Sequence, residues 1–472
     1  MKYSASTVLA SAGWAAALTR DCSNAKMDGG AALGAKIWSC SSVEQILYEG
    51  IQGNGVYKAV THMDAGGECS FEDKSYKGPL APLDEGLSIH IRGPVSLKEF
   101  AVYNLASKPK SKRDVETSPR AAERGHNQGH RHLHRAHRAQ RDMVIATIND
   151  KVVSWENDYF PGGAPATKTS ASAPAATTTV TLKKIGGGGS GGAAAAPSGN
   201  SKSGSEKPPV DGKPAPSGSD WDRVSYYNAE KKTAQNLVFL GNYGGAGSGV
   251  WDTTWGNSLA YLNANGDGGA SSPQILTDTL IPSVKEFSIF SGEKCDESCG
   301  FSRAKDVAYK GFAGANKVFV FRFKMPRDAT VPSGQDASHL PIDMPAIWAL
   351  NARIPRAIQY PSKNPNCTCH TSGCGEFDIF EILDKGESVT KGKSHFHIAS
   401  GGGSSYYLDR PVDKFIKLAV IFHEKKAMVS VKKISDDVDL KQGLDDKTVL
   451  EWLAQPNDPA EKQLSALFQF GK

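Results

Sequence analysis

Alternation of apolar and polar positions marks this chain as a β protein. Leu87-Ser-Ile-His-Ile-Arg92 alternates, Phe100-Ala-Val-Tyr103 is a second β-rich run, and Gly93-Pro94 marks a turn between them. Val318-Phe-Val-Phe-Arg-Phe323 sets three phenylalanines on one face of a strand. Phe415 to His423 and Ala427 to Lys433, joined by the polar Glu424-Lys-Lys426, read as a hairpin, and Val144 to Trp155 as one more strand. Several such strands, separated by Gly, Pro and Asn turns, predict an all-β fold built as a β-sandwich.

The pattern lapses in three places. After Lys2, the stretch Thr7 to Leu18 is mainly apolar and Ala15-Ala16-Ala17 supplies small residues for cleavage, so residues 1–19 read as a secretory signal peptide. That run is too short to span a bilayer, and no other segment is apolar enough, so a secreted protein of the cell wall or extracellular space is expected, without a membrane span. Residues 108–141 are basic and polar, with Lys112-Arg113 as a dibasic pair of the kind kexin-type proteases cut and Gly129-His-Arg-His-Leu-His-Arg-Ala-His-Arg138 reading as a solvated connector. Residues 161–219 lack aromatics and cysteines and include Gly186-Gly-Gly-Gly-Ser190, so they cannot bury enough apolar surface to offset ordering and read as a disordered, low-complexity linker. The expected division is therefore a small β-rich N-terminal domain over 20–158, in which nothing assembles a reacting group, then the linker, then one large domain over 220–472.

Composition narrows the chemistry only a little. A net charge of +5 over 472 residues names no partner. There is no phosphate-cradling loop and no Ser-His-Asp pattern, and a nucleic-acid role would rest on the His/Arg run alone, against the secretory signal. Eight cysteines in a secreted chain predict disulfides. They fall into two odd groups, Cys22, Cys40 and Cys69, then Cys295, Cys299, Cys367, Cys369 and Cys374, so either two are free or one bridge crosses between the groups. Cys367-Thr-Cys369-His370…Cys374 has spacing that could hold zinc, but a disulfide-pinned loop is the expectation in an oxidising compartment, and no metal or cofactor is expected. Asn366-Cys-Thr368 is an N-glycosylation sequon.

The residues that carry chemistry are in Gly375-Glu-Phe-Asp-Ile-Phe-Glu-Ile-Leu383. Three carboxylates sit in an otherwise apolar strand, where charge is costly to bury. In a regular strand Glu376 and Asp378 share a face and Glu381 points the other way. A one-residue bulge within 377–380 restores its parity and brings all three acids to one side. Retaining glycosidases need two carboxyl groups about 5–5.5 Å apart, one attacking the anomeric carbon and one protonating the leaving oxygen. A neighbouring carboxylate raises the pKa of the acid.

At this point the chain resembles glycoside hydrolase family 16, whose acidic strand reads Glu-x-Asp-x-x-Glu. Upstream elements agree in order: Phe321-Arg-Phe-Lys-Met-Pro326 is similar to the family's strand ending in Lys-hydrophobic-Pro, and Met344-Pro-Ala-Ile-Trp-Ala-Leu350 to its Trp-Pro-Ala-x-Trp. The layout also resembles the fungal cell-wall endo-1,3-β-glucanases of the target-of-SBF type, through the Cys-bearing N-terminal part, the linker, Trp221-x-Arg223…Tyr226-Tyr227-Asn228, Gly247-Ser-Gly-Val-Trp251-Asp and Gly256-Asn-Ser-Leu259. The resemblance implies a concanavalin-like β-jelly-roll catalytic domain and retaining hydrolysis of β-1,3-glucan. It implies Glu376 as nucleophile, Asp378 as helper, Glu381 as general acid/base and Trp348 beside the bound sugar. Two departures stand out: Met344 replaces the usual aromatic, and the stretch from Trp348 to Glu376 is longer than in the family, so its cysteine-bearing loop is expected to cap or reshape the cleft.

Trp251, Trp255, Tyr406 and Tyr407 are further candidates for stacking on sugar rings. His395 and His397, two apart on one strand face, are candidates for lining the cleft, binding metal or hydrogen-bonding within the sheet. A monomer acting on β-1,3-glucan is expected. A transglycosylase on the same site, or a non-catalytic glucan-binding wall protein, are the alternatives.

Overall fold

The computed structural model describes residues 22–28, 37–106, 143–148, 151–156, 214, 216–333, 340–361, 363–399 and 401–470. The expected signal peptide, the basic segment 108–141 and nearly all of the linker lie outside the described residues. Two large sheets face each other. The first runs in the order Thr233–Gln235, Trp221–Asn228, Ser96–Leu105, Lys317–Lys324, Ile416–His423, Met428–Ile434, Gln45–Glu49, Ser465–Gln469. The second runs Gly269–Ala270, Ala260–Leu262, Leu237–Gly241, Glu286–Ser291, Leu87–Arg92, Ala346–Asn351, Glu376–Glu381, Lys391–His397, Gly402–Gly403. Neighbouring large strands pair antiparallel, except Ser465–Gln469, which runs parallel to Gln45–Glu49. This is the predicted all-β sandwich.

The core follows from period-2 alternation. Phe319, Phe321 and Phe323 point inward from the first sheet and meet Ile89, Ile91, Phe287, Ile347, Phe377 and Phe380 of the second. The opposite positions Val318 and Val320 face outward, where the helix Asp446–Leu453 covers them with Val449, Trp452 and Leu453. Asp445 caps that helix by accepting from the Thr448 N–H at 2.6 Å. The predicted hairpin is present as Ile416–His423 and Met428–Ile434. Val144 to Trp155, expected as one strand, instead holds most of a pair, Met143–Ile148 with Lys151–Glu156.

The expected separate N-terminal domain is corrected by the pairing. Leu87–Arg92 lies between Glu286–Ser291 and Ala346–Asn351, and Ser96–Leu105 lies between Trp221–Asn228 and Lys317–Lys324. Both are interior strands of the large sandwich. The predicted Gly93-Pro94 turn carries the chain from one sheet to the other. A side chain at Gly93 would put its Cβ 2.2 Å from the Pro282 carbonyl oxygen, so only glycine fits. Alternation revealed these strands but not their partners, because a strand's pattern records burial and not which neighbour supplies it.

All eight cysteines are paired: Cys22–Cys40, Cys69–Cys367, Cys295–Cys299 and Cys369–Cys374. Of the two openings the odd grouping left, the crossing bridge is the one observed, in Cys69–Cys367. The zinc alternative is excluded because its thiols are used. Cys69 opens the second strand of a long ribbon, Gln52–Met63 with Cys69–Pro79, that packs beside the acidic strand's neighbours through Tyr57, Ala59 and Tyr76.

Candidate active site

The acidic strand Glu376–Glu381 carries the predicted bulge. Against Ala346–Asn351, Asp378 pairs with Trp348 and Phe380 with Ile347, leaving Ile379 without a partner. On the other side the register slips between Asp378 and Glu381 as well. Ile379 and Phe380 therefore both reach the core, and Glu381 returns to the face of Glu376 and Asp378. All three acids line one cleft of about 450 Å³.

Each acid meets its own basic partner from a different part of the chain. Glu376 Oε2 contacts His370 Nε2, from the loop before the strand. Asp378 Oδ2 meets two imidazoles, His395 Nε2 at 2.9 Å and His397 Nε2 at 2.8 Å, from the adjacent strand Lys391–His397. Glu381 Oε1 accepts from Arg92 Nη2 at 3.2 Å, from Leu87–Arg92. Of the roles weighed for His395 and His397, both line the cleft and both pair with a carboxylate. Asp378, His395 and His397 hold ligand-type atoms within 4.8 Å of one another, a spacing a metal ion could use; the carboxylate–imidazole pairing accounts for the same convergence.

These partners set the charges. Burial alone would raise the Asp378 carboxyl, but His395 and His397 hold it well below the ordinary range. Burial opposes a charge on His395, yet Asp378 overrides it and pushes the imidazole up to about 9. Glu381 is pushed up, by burial first and by the Asp378 charge second, with Arg92 and His395 pulling the other way. His370 is raised because Glu376 outweighs the burial that disfavours its charged form. One carboxyl is thus held as an anion while its neighbour, three residues on, is biased toward carrying a proton, the separation that acid–base work needs.

Trp348 is buried in the sheet beside the acids, stacked on His90 at 5.4 Å with the Arg92 guanidinium 5.7 Å from its ring, and it lines the cleft. The other aromatic candidates are elsewhere. Trp251 stands 58% exposed on a short hairpin and is not among the cleft residues. Trp255 is buried against Ile358 and Cys367, with Nε1 donating to the Asp64 carbonyl at 2.7 Å. Tyr406 packs on the main core, and Tyr407 lies beside Lys391 and Lys393. An aromatic in a turn looks alike in sequence whether it faces a ligand or a core.

The long loop between Trp348 and Glu376 forms one wall, with Tyr360, Pro361, Pro365, Thr368, His370 and Thr371 facing the cleft. Glu286 ties this wall to the sheet, accepting from Gln359 Nε2 at 3.0 Å and the Tyr360 hydroxyl at 2.8 Å. Arg92 was not singled out as a site residue from sequence, and His370 was named only within the run whose spacing could hold zinc. The signal for Arg92 was present: Ser88, His90 and Arg92 form a polar face opposite Leu87, Ile89 and Ile91, and that polar face is buried or nearly so. Arg92 comes from the part of the chain expected to assemble no reacting group, and it lines the cleft and touches Glu381.

Comparison with known proteins covers most of the chain. Residues 219–452 match the family "Cell wall protein YJL171C/Tos1, C-terminal", and residues 44–105 match its N-terminal counterpart. The chain belongs to the Tos1/YJL171C family of cell wall proteins. A relative from Arthroderma benhamiae, named "Probable circularly permuted 1,3-beta-glucanase", is 40% identical over 85% of this chain and 87% of its own length. One from Candida albicans, "Probable circularly permuted 1,3-beta-glucanase TOS1", is 37% identical over 98% and 99%. One of the same name from Saccharomyces cerevisiae is 37% identical over 89% and 92%. No solved structure matches the chain significantly. Among the described residues no helix is long and apolar enough to cross a membrane.

Proposed function

We propose that this protein hydrolyses β-1,3-glucan of the cell wall as a retaining, endo-acting glycosidase. The observation that carries the reading is the bulged strand, which turns Glu376, Asp378 and Glu381 onto one cleft face and leaves Glu381 raised in pKa. Glu376 attacks the anomeric carbon while the glycosidic C–O bond breaks, and Glu381 gives its proton to the departing oxygen. Glu381 then takes a proton from water, whose oxygen replaces Glu376 and releases the sugar with its configuration retained. Asp378 keeps Glu381 protonated by its negative charge, and His395 and His397 keep Asp378 ionised. Trp348 stands beside the sugar. The names of the relatives support the substrate class.

The test is hydrolysis of laminarin followed by proton NMR of the first-formed reducing ends. β-Configured ends from the wild type, with turnover lost by roughly 10³-fold or more in Glu376→Gln, support the reading. α-Configured ends, or a Glu376→Gln protein that still turns over, would refute it. Products longer than the starting oligosaccharide would replace hydrolysis by transglycosylation.

A further inference from the structure

The loop wall brings one basic residue to the proposed nucleophile, and the chain invests unusual rigidity in it. His370 opens a single 3-10 turn, His370–Ser372, lying inside the small ring closed by Cys369–Cys374. Both cysteines are buried. Within the ring the Gly373 N–H donates to the His370 carbonyl at 2.9 Å and the Cys374 N–H to the Cys369 carbonyl at 3.2 Å. Gly373 closes the turn at φ 87°, in the left-handed region that suits glycine. From outside, the Lys58 N–H donates to Ser372 Oγ at 2.9 Å, and Asn351 Nδ2 donates to the Cys374 carbonyl at 3.0 Å. The ribbon that supplies Lys58 is itself bound to the same loop by Cys69–Cys367. The turn is therefore held by a disulfide ring, a second disulfide and two hydrogen bonds from other strands.

What this frame presents is an imidazole Nε2 on Glu376 Oε2. We propose that His370 is a positioning residue for Glu376, and that the Cys369–Cys374 ring exists to deliver it. This rests on the reading of Glu376 as nucleophile. A strand glutamate has three side-chain torsions, and freezing them on every turnover costs rotamer entropy. A fixed donor on Oε2 selects one rotamer and leaves Oε1 free for the anomeric carbon. The charge matters too, because Glu376 shares its face with Asp378 and Glu381. Asp378 Oδ2 is engaged by His395 and His397, and Glu381 Oε1 by Arg92, so His370 completes the set by compensating Glu376. A residue that only closed the wall would affect how sugar binds. One that orients the nucleophile affects the chemical step.

The experiment uses the full chain and measures kcat and KM separately on laminarin. His370→Ala is expected to lower kcat by roughly 10- to 100-fold, the range for losing a hydrogen bond to a charged group, with KM within about threefold of wild type. His370→Gln, whose amide can donate to Oε2, is expected to recover most of that loss. The double variant Cys369→Ser/Cys374→Ser should reproduce the kcat loss, and adding His370→Ala to it should cost little more, since both act through one contact. Cys295→Ser/Cys299→Ser, which opens a ring away from the cleft, should keep wild-type kinetics. Glu376→Gln runs in parallel: activity there overturns the nucleophile reading and this proposal with it. If Glu376→Gln is inactive while His370→Ala keeps wild-type kcat, or loses activity only through KM, the positioning role alone is overturned. The two single His370 variants decide the matter even if the cysteine variants fail to fold.

Discussion

Arg92 Nη2 donates to Glu381 Oε1 at 3.2 Å, although one residue precedes the long stretch 107–213 and the other follows it. The guanidinium is one of the two groups that lower the Glu381 pKa, against burial and Asp378, which raise it. Replacing Arg92 by Met removes that cation and lets the carboxyl rise further. On the proposed role of Glu381 as general acid, which needs the proton on that carboxyl, the alkaline limb of the kcat/KM profile should move to higher pH. The loss of a charged hydrogen bond should also cut kcat by roughly 10- to 100-fold. A pH–rate profile of Arg92→Met measures both, and a limb that stays in place or moves down contradicts the assignment.

Residues 220–472 produced alone should fail to fold. Removing Leu87–Arg92 would strip hydrogen-bonding partners from both Glu286–Ser291 and Ala346–Asn351, and would empty core positions held by Ile89 and Ile91. In the intact chain, Ile89→Ala should cost about 2–5 kcal/mol of stability, as for other fully buried aliphatic truncations. Denaturant unfolding checks the second claim. A soluble, cooperatively folding 220–472 fragment would show that the strand is dispensable.

Stability should decline on the alkaline side through His395. Its value is raised to about 9 in the folded protein, against about 6.5 for an exposed histidine. A raised value means the contribution is full below about 6.5 and disappears as pH climbs through about 9. Calorimetric Tm values of wild type and His395→Gln from pH 6 to 10 should therefore converge as pH rises. A constant gap across that range would show that the imidazole is not charged in the native state.

Much of this site was legible from residues alone, for a physical reason. Glu376, Asp378 and Glu381 stand among Phe377, Ile379, Phe380 and Ile382, and charge in so apolar a strand required a bulge and a cleft. Trp348 came from the family resemblance rather than from local pattern, and it lines the cleft. The Phe319, Phe321 and Phe323 face was equally plain, because period-2 alternation is a local signal. What escaped were contacts set by tertiary pairing. Arg92 and His370 reach the acids from elements whose position depends on which strands adjoin and which cysteines join. Trp251 and Tyr406 are not among the residues lining the cleft, and aromatic character alone does not distinguish a sugar platform from a packing surface.

The Cys69–Cys367 bridge has a consequence for the life of the protein after synthesis. Leu105 and Trp221 are opposite one another in adjacent strands, so both ends of the intervening stretch are anchored side by side. That stretch contains Lys112-Arg113. A protease cutting there would divide the polypeptide without separating the two pieces, because Cys22–Cys40 lies wholly before the cut, Cys295–Cys299 and Cys369–Cys374 wholly after it, and Cys69–Cys367 alone spans it. The nicked protein would migrate as one species on a non-reducing gel and as two after reduction. The mature protein would then be a disulfide-linked heterodimer encoded by a single reading frame, its cleft assembled from both halves.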